Sequence, residues 1–253
     1  MDISIKRDGL TLRGDLRRPA GMEKSPIAII FHGFMSSRGI NPHNMFEDIA
    51  DKLAENGIAA IKFDFDGHGD SDGDFSDMNV LSEILDASKI IDYVRKLDWV
   101  SDIYIVGHSQ GALVGGMCAG YYREYISKLV MLAPAATIKD DAHIGSCFGL
   151  PYDVNHVPEY IVTKDNYGRE YKTGHMYFRV ARTLPIYETT SMFKGKTLII
   201  HGTADEAVGV IGSKRYAECM DNVTLKLIEG EHHGLDTVSL ENVINDVVSF
   251  LAE

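Results

Sequence analysis

The sequence predicts an α/β protein built on a mainly parallel sheet with helices on both faces. Three observations carry this. Short apolar runs alternate along the chain with longer stretches whose apolar residues recur at helical spacing. Runs such as Ile27–Phe31 are apolar at every position, as expected of strands buried on both faces. The repeated β-α-β rhythm implies crossovers between parallel neighbours, and sheets of this kind place ligands beyond the carboxyl ends of their strands.

Each element follows in order. Asp2–Ile5 and Leu10–Arg17 read as an antiparallel pair at one edge, and Ile27–Phe31 as the first buried strand. Met45–Asn56 is helical because Phe46, Ile49, Ala50 and Leu53 share one side, and Gly57 stops it. Ile58–Phe63 is the next strand. Val80–Leu97 places Val80, Ile84, Ala87, Ile91 and Val94 at helical spacing. Ile103–Val106 is a strand and Gly111–Tyr121 a helix of small residues. Lys128–Leu132, Thr197–His201 and Val223–Ile228 complete the strands; Ile211–Met220 and Leu240–Ala252 complete the helices.

Residues 134–190 break the rhythm. They carry Pro134, Pro151, Pro158 and Pro185 among many Tyr, His and Asp residues. A structureless loop of this length is foreign to a compact domain. The expected division is a core of residues 1–133 and 191–253 with an inserted lid at 134–190. No internal repeat or low-complexity segment interrupts this plan.

Composition narrows the function. A chain of 253 residues with 45% hydrophobic content suits one globular domain. The net charge of -12 repels phosphate backbones and anionic membranes, so neither nucleic acid nor a membrane is an expected partner. Cys118, Cys147 and Cys219 are scattered and lack CxxC spacing, which points to reduced thiols and a cytoplasmic location. The N-terminus has no basic region followed by an apolar one, and no apolar run approaches the roughly 20 residues that cross a bilayer.

The chemistry concentrates in Gly107-His108-Ser109-Gln110-Gly111, which follows one predicted strand and opens a helix. This is the strand–turn–helix context in which a serine nucleophile protrudes from a sharp turn, with glycines where side chains would collide. A serine hydroxyl needs a base, and the base needs an orienting carboxylate. In the α/β-hydrolase fold the chain order is Ser, then an acid, then His. Asp205 ends the run Leu198-Ile199-Ile200-His201-Gly202-Thr203-Ala204-Asp205, at a strand's carboxyl end. After the last strand, Gly230-Glu231-His232-His233 offers two histidines, and Gly-x-x-His spacing selects His233. No zinc-like ligand spacing accompanies the pair. For the oxyanion, the fold uses the backbone N–H of the residue after the nucleophile, Gln110, and one from the loop His32-Gly33-Phe34, assigned to Phe34. His32 precedes the serine and reads as a loop brace. Asp64-Phe65-Asp66-Gly67-His68-Gly69-Asp70-Ser71 lacks phosphate- or dinucleotide-binding spacing. No metal or organic cofactor is implied.

These motifs, together with Leu132-Ala133-Pro134-Ala135-Ala136-Thr137 and Leu184-Pro185-Ile186-Tyr187-Glu188, resemble the bacterial cinnamoyl (feruloyl) esterases of the α/β-hydrolase superfamily across nearly the whole chain. The resemblance implies an α/β-hydrolase core with a small inserted lid. It implies hydrolysis of ferulate, caffeate and p-coumarate esters by Ser109, Asp205 and His233, with a small aromatic ester as the partner. It also implies that Asp141 and Tyr177 bind the hydroxyl of the aromatic acyl group. Phe148 stands where relatives carry a polar glutamine, which bears on catechol against methoxyphenol preference. Gly209 stands where proline is common, which leaves the Asp205 loop looser. The residues alone leave open a general carboxylesterase, thioesterase or peptidase, a non-catalytic binder of small ligands, and a homodimer.

Overall fold

The computed structural model describes residues 1–39, 45–147, 149–165, 168–238 and 240–253. Among these, β1 (Asp2–Arg7), β2 (Leu10–Arg17), β3 (Ser25–Phe31), α1 (Met45–Glu55), β4 (Ala59–Phe63), α2 (Val80–Val94), β5 (Val100–His108), α3 (Gln110–Tyr121) and β6 (Ile126–Leu132) follow in order. Next come α4 (Ile138–Ile144), β7 (Ser146–Cys147), β8 (Leu150–Pro151), β9 (Tyr160–Lys164), β10 (Glu170–Gly174), α5 (His175–Ala181) and α6 (Ile186–Thr190). The chain closes with β11 (Lys196–Gly202), α7 (Ile211–Cys219), β12 (Val223–Ile228) and α8 (Leu240–Ala252).

Eight strands form one sheet in the order β1-β2-β4-β3-β5-β6-β11-β12. From β4 to β12 the neighbours are parallel, and β2 runs antiparallel to both β1 and β4. The α/β fold class and the antiparallel edge pair follow the sequence reading.

The continuous apolar runs arise because both faces are covered. Ile27, Ile29 and Phe31 of β3 join a core with α2 and α3, while Ala28 and Ile30 point into a second core with α1 and α8. Buried Lys62 crosses to Glu47 and Asp15. Helix α3 is buried all round, so it shows no apolar stripe.

Two boundaries differ from the sequence reading by three residues. Strand β5 starts at Val100, not Ile103, because Val100 pairs with Ser25 although Ser101 and Asp102 are exposed and polar. Helix α2 stops at Val94, and Lys96 and Leu97 turn through three-residue bonds to Tyr93 and Val94.

The 134–190 segment links the adjacent strands β6 and β11 and contains elements that no sequence periodicity announces. Strands β9 and β10 form an antiparallel hairpin, and β7 pairs with β8. Tyr177 and Phe178 of α5 are buried in the core shared with α2 and α3. Helix α6 packs on α3 and touches α7. Among the described residues, no helix is long and apolar enough to cross a membrane.

Candidate active site

Ser109 sits between β5 and α3 with φ 55° and ψ -122°, a backbone that L-residues rarely adopt. Packing enforces it. A Cβ on Gly107 would overlap Gly111 and Ala112, and one on Gly111 would overlap the carbonyls of Phe31 and His32. The turn is also tied to β6: Ser109 N donates to Leu132 O at 2.8 Å, and Ala135 N donates to Ser109 O at 3.0 Å.

His233 Nε2 lies 3.0 Å from Ser109 Oγ, and its Nδ1 lies 2.8 Å from Asp205 Oδ2. The loop carrying His233 is organised by Glu231, whose buried carboxylate accepts from the N–H groups of His232, Thr237 and Val238 at 2.9–3.1 Å. His108 Nε2 donates to His233 O at 2.9 Å. Burial, and then the neighbouring His233, push the His108 imidazole down to about 3, so it is neutral and Nε2 carries its proton.

The Asp205 side chain is fully buried. Its Oδ1 accepts from Ala207 N and Val208 N, each at 2.9 Å. Its Oδ2 accepts from His233 and also lies 3.0 Å from Nε2 of the fully buried His201. Burial alone would raise this carboxyl; the N–H groups of His201 and His233 more than offset it and hold it well below the usual carboxylate range. These bonds pin the loop that Gly209 was expected to leave looser.

Phe34 and Gln110 flank the serine from two sides. The loop with Phe34 approaches so closely that a Cβ on Gly33 would sit 2.9 Å from Ser109 Cβ. His32 braces it, with Nδ1 2.8 Å from Gly33 O and Nε2 accepting from Phe65 N at 3.0 Å. Burial pushes His32 down to about 4, consistent with a neutral ring that accepts at Nε2. The Asp64–Ser71 turn completes the brace: Asp64 accepts from Arg38 N at 2.7 Å and pairs with the Arg38 guanidinium. Gln110 opens α3, where first-turn N–H groups have no intrahelical acceptor. Its side chain donates to Glu83 Oε2 at 2.8 Å and accepts from the Tyr177 hydroxyl at 2.6 Å. Burial pushes the Glu83 carboxyl well above its ordinary value.

A cavity of about 460 Å³ opens at Ser109, lined among others by Phe34, Gln110, Asp141, Tyr177, Phe178 and the Asp205–Gly209 loop. Asp141 reaches it while accepting from Thr137 Oγ1 at 3.0 Å, and burial raises its carboxyl. Tyr177 lines it with its hydroxyl turned to Gln110. Phe148 lies outside the described residues. The structure therefore brings together Ser109, His233, Asp205, Phe34, Gln110, Asp141 and Tyr177. His201, Glu231, Glu83 and His108 hold this array in place, and the sequence reading gave them no part. His201, His108 and Glu231 had a local cue, each lying within four residues of a predicted site residue, whereas Glu83 had none.

A model of the serine aminopeptidase S33 family matches residues 23–151. Among solved structures, Est1E from Butyrivibrio proteoclasticus with ferulic acid bound is 34% identical with a TM-score of 0.91, covering 98% of this chain and 97% of that one. A second structure of Est1E is 31% identical with a TM-score of 0.87, covering 99% and 97% of the two chains. The α/β hydrolase GrgF from Penicillium sp. sh18 shares the fold at 19% identity and a TM-score of 0.78, over 99% and 97% of the two chains. With a mainly parallel sheet of eight strands, a serine on a strained strand–helix turn and these likenesses, the chain belongs to the serine aminopeptidase S33 family of α/β hydrolases and is similar over its whole length to Est1E.

Proposed function

We propose that the chain is a serine esterase that hydrolyses hydroxycinnamate esters. One observation carries the reading: Ser109 Oγ, in reach of His233 Nε2, faces a cavity sized for an aromatic acyl group, in a chain similar end to end to a protein with ferulic acid bound. Ferulic acid is the acyl half that such a hydrolysis releases.

His233 Nε2 takes the Ser109 proton as Oγ attacks the ester carbonyl. The N–H groups of Phe34 and Gln110 hold the oxyanion, and ionised Asp205 stabilises the imidazolium. The imidazolium then protonates the leaving alkoxide, and the alcohol departs. A water, deprotonated by His233, attacks the acyl-enzyme. Collapse returns the proton to Ser109 Oγ and frees the carboxylate. Asp141 accepts from the ring hydroxyl of the acyl group, and residues 134–190 act as a lid that closes the aromatic pocket. A cytoplasmic location belongs to the same reading, supported by the scattered cysteines.

A second reading, aminopeptidase, is favoured by the family's name and by Asp141 and Glu206 at the cavity, which suit a substrate ammonium group. Comparing kcat/KM for methyl ferulate, p-nitrophenyl butyrate and leucine p-nitroanilide separates the two. The expected order places methyl ferulate first. No preference for it over the butyrate removes the hydroxycinnamate assignment, and turnover of the anilide alone selects the peptidase. Ser109→Ala is expected to abolish turnover while the thermal transition persists; unchanged turnover refutes the nucleophile.

A further inference from the structure

Asp205 Oδ2 is shared by two imidazoles. His201 Nε2 lies 3.0 Å from it and 3.3 Å from Val208 O. A carboxylate oxygen and a carbonyl oxygen can only accept, so His201 Nε2 carries a proton. On the other side of the ring, His201 Nδ1 lies 2.7 Å from Ser213 Oγ. Both His201 and Ser213 are fully buried, so water does not replace either bond. In the neutral ring Nδ1 is an acceptor, and the Ser213 hydroxyl donates to it. The hydrogen-bonded chain thus runs Ser109, His233, Asp205, His201, Ser213.

The placement of these groups matters. Asp205 stands on the loop between β11 and α7. His201 belongs to β11 and Ser213 to α7, the two elements that flank this loop. A carboxylate held only by backbone N–H groups at Oδ1 keeps freedom to rotate about its Cβ–Cγ bond. A second donor at Oδ2 removes that freedom and fixes the lone pair that His233 Nδ1 meets.

We propose that His201 is a positioning residue for the hydrolytic reaction, with Ser213 fixing its tautomer. The proposal rests on the reading of Ser109, His233 and Asp205 as the catalytic array. His201 does not touch substrate. It aligns the carboxylate that orients the base, so its loss acts on kcat and leaves KM in place.

The test uses the full chain and p-nitrophenyl acetate, whose turnover does not depend on any hydroxycinnamate preference. His201→Leu keeps volume and removes the donor. It is expected to lower kcat on the order of 10- to 100-fold with KM unchanged to within about twofold. His201→Gln places an N–H donor near the lost Nε2 and restores most of the rate. Ser213→Ala lowers kcat by a smaller factor and stands in should His201→Leu fail to fold by circular dichroism. Proton NMR supplies a readout that a merely structural role leaves still: the downfield N–H signal of His233 Nδ1, bonded to Asp205, shifts in His201→Leu and returns toward its wild-type position in His201→Gln. A folded His201→Leu protein with kcat within about twofold of wild type overturns the proposal. So does a His201→Gln protein no faster than His201→Leu, or a Ser213→Ala protein with wild-type kcat. An active Ser109→Ala control sinks the underlying catalytic reading instead, so the two failures are distinguishable.

Discussion

The Tyr177 hydroxyl is committed to Gln110 Oε1 at 2.6 Å, and Gln110 in turn donates to buried Glu83. This sets two roles for the tyrosine against each other: a partner for the substrate's ring hydroxyl, as family resemblance implies, or a tether for Gln110, whose N–H is proposed to hold the oxyanion. The observed bond favours the tether. Tyr177→Phe is therefore expected to lower kcat/KM severalfold for methyl cinnamate, which has no ring hydroxyl, and by the same factor for methyl ferulate. A loss confined to methyl ferulate restores the substrate-binding role. Ser109, Asp205 and His233 were legible in the sequence because glycine spacing and strand ends mark them locally. Glu83 and Glu231 were not, because an acidic residue in a sequence reads as surface. Glu83 meets Gln110 across two helices, and Glu231 folds back onto N–H groups of its own loop in a turn that no spacing rule marks.

Helix α3 shows how small residues let elements approach. A Cβ added to Gly120 would overlap the carbonyl of Thr189, so α6 lies directly on the α3 backbone. Gly120→Ala is expected to destabilise the protein by roughly 1–3 kcal/mol, through overpacking that helix propensity only partly offsets. The melting temperature should fall by several degrees, and an unchanged melting curve contradicts the contact. The main strands and helices of the core were legible because burial on both faces, or on one helical stripe, imprints a period on the sequence. The strands of the 134–190 segment were not. Strands β7 to β10 are two to five residues long, too short for alternation to register. The sequence there announces only a break in rhythm.

Three histidines are buried as neutral rings: His32 at about 4, and His68 and His108 at about 3, each lowered first by burial. Unfolded, they take up protons near pH 6.5, so acidification below that value favours the unfolded chain at about 1.4 kcal/mol per pH unit for each ring. Glu83 and Asp86 run the other way. Burial raises both, Asp86 to about 7, so the folded state holds their protons where the unfolded state releases them. The raised carboxyls, Asp15 and Asp141 among them, offset part of the ring effect, and the net expectation is a loss of stability from about pH 6.5 to 4.5. Urea midpoints across that range check it; a flat or rising profile toward acid excludes it.

The serine and its base are separated by 124 residues, and His233 stands after the last strand of the sheet. Bringing them together requires β5, β6, β11 and β12 to be in register, a strongly non-local closure. On the reading proposed above, turnover therefore reports on completed folding. During synthesis residues 107–111 are made long before His233, and a chain interrupted anywhere before residue 233 holds a serine without its base.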